Sequence, residues 1–426
     1  MSALAGQLAA FALGPLRGAE DATEMMRLSL LDWCAVGIAG RAEPVSCLLR
    51  DHAGATAGQG PCAVFGGAQV LPPATAALVN GTISHALDYD DTHFAHIGHP
   101  SVAVLPAAFA LAQATGADGD TFLEAALAGV EGSIRIGQWL GRGHYQIGFH
   151  QTATAGAFGA TLAAARLLAL TPDQTGHALG IAATRAAGLK SQFGTMGKPY
   201  HAGLAAQTGV EAAQLAQAGF LSNPDALDGP QGFGPTHAGA GDLGAFDGLN
   251  RDWMILSISH KFHACCHGTH AMLEALAEVD LPPAQVDRIR VATHPRWLSV
   301  CNIATPTTGL EVKFSYRQLA AMAIRGVPTG ALDSYTDERA QDLTLRALAQ
   351  RVVVEGDDSL PETACRVQVN GTDYAHDLDA PITLPVRRDK LLHKAAALIG
   401  PGGADALWAQ IQPASFIFPE ISSPKA

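Results

Sequence analysis

From the N-terminus to about residue 260 the chain is written in Ala, Leu and Gly at helical spacing, and after Cys266 that pattern gives way to alternation. No other feature restricts its fold more. The segments Met25–Gly37, Ala74–Leu87, Val102–Ala114, Phe122–Leu140, Ala153–Leu168 and Gln174–Ala187 each predict a helix. So many small residues on their faces imply helix axes packed closely, with little bulk between them. Thr171-Pro172 supplies a cap and a first-turn proline, and Asp118-Gly119 precedes the helix of Phe122. Farther on, a helix is expected at Thr269–Glu278 and strands at Val286–Thr293 and Arg351–Glu355. Cys365–Tyr374 reads as a hairpin turning on Asn370-Gly371. Helical patterns fill Ser315–Arg325 and Asp337–Ala349, and return at Lys390–Ile399 and Ala404–Ile411, the last two expected back on the first domain. The fold class read from this is mainly α. A large all-helical domain, 1–261 completed by 386–426, carries a smaller inserted α+β domain at 262–385.

Composition narrows the function classes. Hydrophobic residues make up 48% of the 426, enough for a sizeable core, and charged residues only 15%, which argues against disorder or a coiled coil. A formal net charge of -12 disfavours nucleic acid and anionic membrane surfaces as partners. No apolar run reaches the ~18 residues of a membrane span, and the first residues lack the basic and apolar regions of a secretory signal. Seven cysteines, none in a CxxC pair, fit a reducing cytoplasm better than a disulfide framework or a zinc site.

Titratable residues gather in five places. The densest is Ser84-His-Ala-Leu-Asp-Tyr-Asp-Asp-Thr-His-Phe-Ala-His-Ile-Gly-His-Pro-Ser101, which holds His85, Asp88, Asp90, Asp91, His93, His96 and His99. On a helix, Asp88 and Asp91 would share a face, while His99, before Pro100, is expected in extended or turn geometry. A solvated helix end explains the cluster too. His93, His96 and His99 also space as HxxHxxH, a zinc-like string, but Gly98 and Pro100 break the helix it would need, and no metal is expected. The second place, Gly148-Phe-His-Gln-Thr-Ala-Thr154, sets His150 before a helix N-terminus, where free N–H groups favour a carboxylate. The third, Phe193–Gly203, holds Lys198 and His201. Lys198 precedes Pro199 and is expected on a loop ahead of a new helix. The fourth, His260-Lys-Phe-His-Ala-Cys-Cys-His-Gly-Thr-His270, lies at the expected domain junction, where pockets form. A thiolate or imidazole there would serve as a general base, although Cys265 and Cys266 also read as small buried hydrophobes. In the fifth, Gly309–Gln318, Lys313, Tyr316 and Arg317 would either clamp a carboxylate or stand solvated at a helix start.

In this order, HALDYDDTH with GHPS, GFHQTAT, GTMGKPYHAG, KFHACCHGTH and LEVKFS, the chain resembles the MmgE/PrpD family over nearly its whole length. The family includes 2-methylcitrate dehydratase, cis-aconitate decarboxylase and iminodisuccinate epimerase. The resemblance implies a helical domain built from both chain ends and an inserted α+β lid. It also implies a homodimer, a small di- or tricarboxylate substrate, and neither metal nor organic cofactor. Carried over by motif, Asp88, Thr92, His99, His150, Lys198 and Lys261 look like pocket positions of the decarboxylase branch. Two positions depart from that branch: Cys266 stands where it has a histidine, and Gln318 where it has a tyrosine. The expected catalytic residues are His150, Lys198, Cys266, Asp88 and His99, with Thr92, Lys261, His201, His267 and Lys313 binding substrate. The expected activity is proton transfer beside a carboxylate, as a dehydratase or decarboxylase, with a two-base epimerase as the alternative. A non-catalytic binding protein on the same scaffold is the third reading.

Overall fold

A computed structural model describes residues 1–413 and 416–422. The chain is mainly α and divides into two compact units, one from Met1–His260 with the stretch from Ile399 onward, the other Lys261–Leu398. In the first unit helices form at Glu20–Gly40, Pro73–His85, Ser101–Thr115, Gly119–Ile147, Gln151–Leu167, Pro172–Arg185 and Gly197–Gln217. Four of the six predicted patterns are matched closely at both ends, whereas the first helix starts earlier, at Glu20, and the fourth runs on to Ile147 past a break at Gly141, which takes φ 72° just after the expected end at Leu140. The Thr171 cap is a full capping box: its hydroxyl takes the Gln174 N–H while the Gln174 side chain returns to the Thr171 backbone.

Small residues do set the helix spacing. A Cβ on Gly203 would lie 2.2 Å from the Leu78 carbonyl oxygen, and one on Gly81 would lie 2.9 Å from Gly203 Cα. The Pro73–His85 and Gly197–Gln217 helices therefore cross backbone to backbone, and this crossing brings the end of one near the start of the other. The first unit is not all-helical, however. Cys62–Val64 and Gly67–Leu71 pair as an antiparallel hairpin. Its turn is possible because Gly66 takes φ +65°, and the buried Asn80 amide holds it by accepting from Phe65 N–H and donating to the Ala63 carbonyl.

The second unit carries a four-stranded sheet in the order Val352–Gly356, Ile289–Thr293, Ala364–Val369, Thr372–Asp377. The first pair is parallel and the others antiparallel. The hairpin turns at Asn370-Gly371 as expected, both with positive φ (50° and 91°). Met272, Leu276, Ile289, Val291, Tyr316, Leu319 and Val367 make its core. The pattern expected as one helix over Asp337–Ala349 is two, Asp337–Ala340 and Leu343–Ala349, because the Asp342 carboxylate caps Thr344 and Leu345 and restarts the helix. The helix Leu384–Ile399 runs with this unit up to Leu398, and Lys390 pairs with Glu274 at 2.6 Å. Among the described residues no helix is long and apolar enough to cross a membrane.

Candidate active site

The segment between the Pro73–His85 and Ser101–Thr115 helices builds the centre of the site. The first of these helices ends at His85, and Asp88 then takes φ +51°, a left-handed turn that an Asp tolerates better than most residues. Helical geometry is lost there, so Asp88 and Asp91 do not share a helix face as the spacing alone predicted. Asp88 reaches Lys198, with Nζ 2.7 Å from Oδ1. Asp91 turns inward instead, accepting from the Ser101 hydroxyl at 2.5 Å. Between them Asp90 points at two imidazoles: His85 Nδ1 donates to it at 2.9 Å, and His99 Nδ1 lies 2.9 Å from its other oxygen. The far nitrogen of His99, Nε2, lies 3.3 Å from Asp88 Oδ1.

Neighbouring helix ends close the group. His99 N–H donates to the Thr152 hydroxyl at 3.0 Å. No side chain fits at Gly98, because a Cβ there would sit 2.8 Å from Thr152 N. His150 occupies the cap of the Gln151–Leu167 helix as expected, its N–H held by the Gly188 carbonyl at 3.0 Å. His150 Nδ1 is 3.2 Å from His201 Nδ1, on the Gly197–Gln217 helix. Lys198 is not on a loop: it lies in the first turn of that helix, where Pro199 is tolerated because no N–H is needed. Asp88, His99, His150, Lys198 and His201 therefore do converge. Thr92 stands beside them, but its hydroxyl donates to the Ser259 carbonyl at 3.2 Å, in a two-residue bridge between those backbones.

Burial and charge set the protonation of these groups. Burial alone would raise Asp90, yet the His85 and His99 rings hold its carboxyl well below the usual range, so it is an anion. His150 is driven well below the ordinary histidine value, first by burial and then by Lys198 and the surrounding imidazoles, and is a neutral ring able to accept a proton. His201 is lowered for the same reasons, burial first. The HxxHxxH string does not assemble. His93 faces the Met254 carbonyl at 3.0 Å and His96 the Ser133 hydroxyl at 3.1 Å, and burial takes them down to about 4 and about 3. The donor atoms of His85, Asp88, Asp90 and His99 do lie within 4.8 Å of one another. Any cation held there would compete with the Lys198 ammonium already on Asp88.

The remaining expected residues belong to the second unit. Cys266 N–H donates to the Lys313 carbonyl at 3.0 Å, and Cys266 caps the turn His267–Thr269. His267 meets His270 ring to ring at 4.7 Å, the Lys313 ammonium lies 5.3 Å from the centre of the Tyr335 ring, and Lys261 is buried. Of the two adjacent cysteines, Cys265 is inert, its thiol pushed up to about 12 by burial. Cys266 is half-buried. Tyr316 and Arg317 are engaged within their own unit: the Tyr316 hydroxyl donates to the Gly268 carbonyl at 2.6 Å and Arg317 to Asn302 Oδ1 at 2.6 Å. Gln318 is buried and donates to the Arg339 carbonyl. Two residues of the first cluster, His85 and Asp90, received no role from the sequence and prove central to the geometry. Their only signal was the density of the cluster itself.

Fold and site together define a mainly helical protein whose first unit gathers two carboxylates, four imidazoles and an ammonium into one cluster. Residues 6–244 match the MmgE/PrpD N-terminal domain and residues 263–411 the MmgE/PrpD C-terminal domain. The chain belongs to the MmgE/PrpD family. Among curated relatives, it is 32% identical over 423 residues to the cis-aconitate decarboxylase of Aspergillus terreus, covering 89% of this chain and 85% of that one. It is 30% identical over 326 residues to human cis-aconitate decarboxylase, covering 72% and 67% respectively. A cis-aconitate decarboxylase-like protein of Aspergillus oryzae is 31% identical over 276 residues, 61% of this chain and 57% of the relative.

Proposed function

We propose that the protein is a lyase that removes water or carbon dioxide from a small di- or tricarboxylate, using acid–base groups of its own chain. The observation that carries this reading is the neutral, buried His150 beside the Lys198 ammonium and the His99–Asp90 pair. Loss of a proton or of carbon dioxide beside a carboxylate leaves an enolate-like dianion. Fixed cations and N–H donors lower its cost far more inside a dry site than in water. Lys198 supplies one such charge at a helix start, where backbone N–H groups add to it. His99, oriented by Asp90, supplies a donor that carries a proton, and His150, held neutral, is the group assigned to take one. Relatives named as cis-aconitate decarboxylases support the substrate class. Lys261, His267 and Lys313 are proposed substrate contacts, and the protein is proposed to act as a homodimer, which light scattering tests.

The test is incubation of the purified protein with cis-aconitate, 2-methylcitrate and citrate in deuterated water, followed by NMR and mass spectrometry. A lyase yields a product short of water or carbon dioxide, or its hydrated reverse. If none of these acids is consumed and none binds, the lyase reading is wrong. Cys266, a half-buried thiol where the decarboxylase branch carries a histidine, favours a second reading as an epimerase. That activity would appear in the same experiment, on iminodisuccinate, as deuterium entering the substrate with no group lost.

A further inference from the structure

His85 is fully buried, and a histidine that only packs ordinarily satisfies both ring nitrogens. This one uses a single nitrogen. Nδ1 donates to Asp90 Oδ1 at 2.9 Å, whereas Nε2 is buried with no hydrogen-bond partner among the described residues. The ring stands edge-on to His99, with centroids 4.6 Å apart, and nearly parallel to His150, at 6.1 Å and 22°. One Asp90 carboxylate thus serves two rings: His85 Nδ1 lies 2.9 Å from Oδ1 and 3.0 Å from Oδ2, and His99 Nδ1 lies 2.9 Å from the same Oδ2. One carboxylate carries one negative charge. What His85 draws from it is withdrawn from His99, and the two rings are near enough for any positive charge on one to be felt by the other.

We propose that His85 is a positioning residue that acts on His99 through the shared Asp90 carboxylate, setting how readily His99 gains and releases a proton. The inference rests on the reading of His99 as a proton-handling group. The other titratable groups around His99 come from three directions. Asp88, Asp90 and His96 lie on its own segment, Lys198 and His201 on the Gly197–Gln217 helix, and His150 at the start of Gln151–Leu167. A charge on His85 also reaches Asp90, His150 and His201, so the His150 and His201 midpoints are followed in the same titration, and a His99 shift larger than theirs reports the shared carboxylate.

The experiment is an NMR titration of the histidine side chains in the full-length, substrate-free protein labelled at histidine. His85→Phe keeps a flat ring against His99 and His150 but gives nothing to Asp90. His85→Gln keeps an N–H donor, weaker than that of an imidazole, and cannot ionise. In His85→Phe the whole carboxylate charge falls to His99, and its midpoint is expected to move to higher pH by at least about half a pH unit. In His85→Gln it is expected to move the same way by less. The acid limb of the pH–rate profile should follow in the same order. A His99 midpoint unchanged in both variants, or moved no more than those of His150 and His201, overturns the proposal. Should the Phe variant fail to fold, an unchanged midpoint in the Gln variant is enough to do so. Because the titration needs no turnover, a protein that consumes no polycarboxylate still returns this result, and the two readings fail separately.

Discussion

Replacing Asp91 by asparagine should make the protein gain stability on its parent steadily as pH rises from about 4 to about 7. The Asp91 carboxyl is buried, accepting from the Ser101 hydroxyl at 2.5 Å and from Ser101 N–H at 3.3 Å. Burial, followed by the nearby carboxylates of Asp32 and Asp90, pushes it from 3.8 up to about 7, against the pull of the Ser101 and Ser29 hydroxyls. The folded state therefore holds this proton more tightly than the unfolded chain does. Folding stability from this group is undiminished below pH ~4, declines as pH rises toward ~7, and stays reduced beyond it. At about 1.4 kcal/mol per pH unit, that displacement is worth on the order of 4 kcal/mol. Asparagine keeps an oxygen for Ser101 and never ionises. Whatever fixed cost its amide brings beside Asp32 is the same at every pH, so the informative quantity is how the difference between variant and parent changes with pH. Urea unfolding at a series of pH values should show the variant gaining about 4 kcal/mol on the parent between pH ~4 and pH ~8. A difference that stays flat across that range would show that Asp91 is charged in the folded state, and the reasoning would be refuted.

Lys198→Ala should reduce turnover by at least about a hundredfold while leaving the melting temperature nearly unchanged, since its partner Asp88 is 49% exposed and such pairs stabilise little. Near-normal activity in that variant would remove Lys198 from the mechanism. Cys266→Ser should cripple an epimerase but spare a lyase in which His150 is the base, and initial rates in the two assays would decide between them. Gly203→Ala forces a methyl to within 2.2 Å of the Leu78 carbonyl and 2.3 Å of the Thr82 hydroxyl. It should cost about 3 kcal/mol or more and lower the melting temperature by several degrees. An unchanged melting curve would mean that the two helices are free to separate.

Periodicity carried most of the architecture. The long Ala-rich helices show in the sequence because their faces repeat over many turns, and the Asn370-Gly371 hairpin because its turn demands two residues at positive φ. The hairpin at Cys62–Leu71 was not legible. Its strands have only 3 and 5 residues, and its support comes from Asn80, distant in sequence. The candidate site was legible as a set of residues but not as an arrangement. His150 before its helix and the non-helical His99 followed from local rules. The Asp88 turn did not, because an αL residue reverses the direction of everything after it while leaving composition unchanged. For the same reason the two adjacent carboxylates Asp90 and Asp91 face opposite environments, one on imidazoles and one on a serine, which no spacing rule distinguishes. Lys198 was misplaced because a proline after it reads as a stop, whereas in a first turn the proline is a start.

The central claim is that these imidazoles and the Lys198 ammonium take up a small polycarboxylate. It is tested most directly by adding cis-aconitate to the histidine- and lysine-labelled protein and following His99, His150 and Lys198 by NMR. Their signals should shift together and saturate at one ligand per chain, and the shifts should be lost in Lys198→Ala. Shifts confined to other residues, with these three unmoved at saturating acid, would contradict the account.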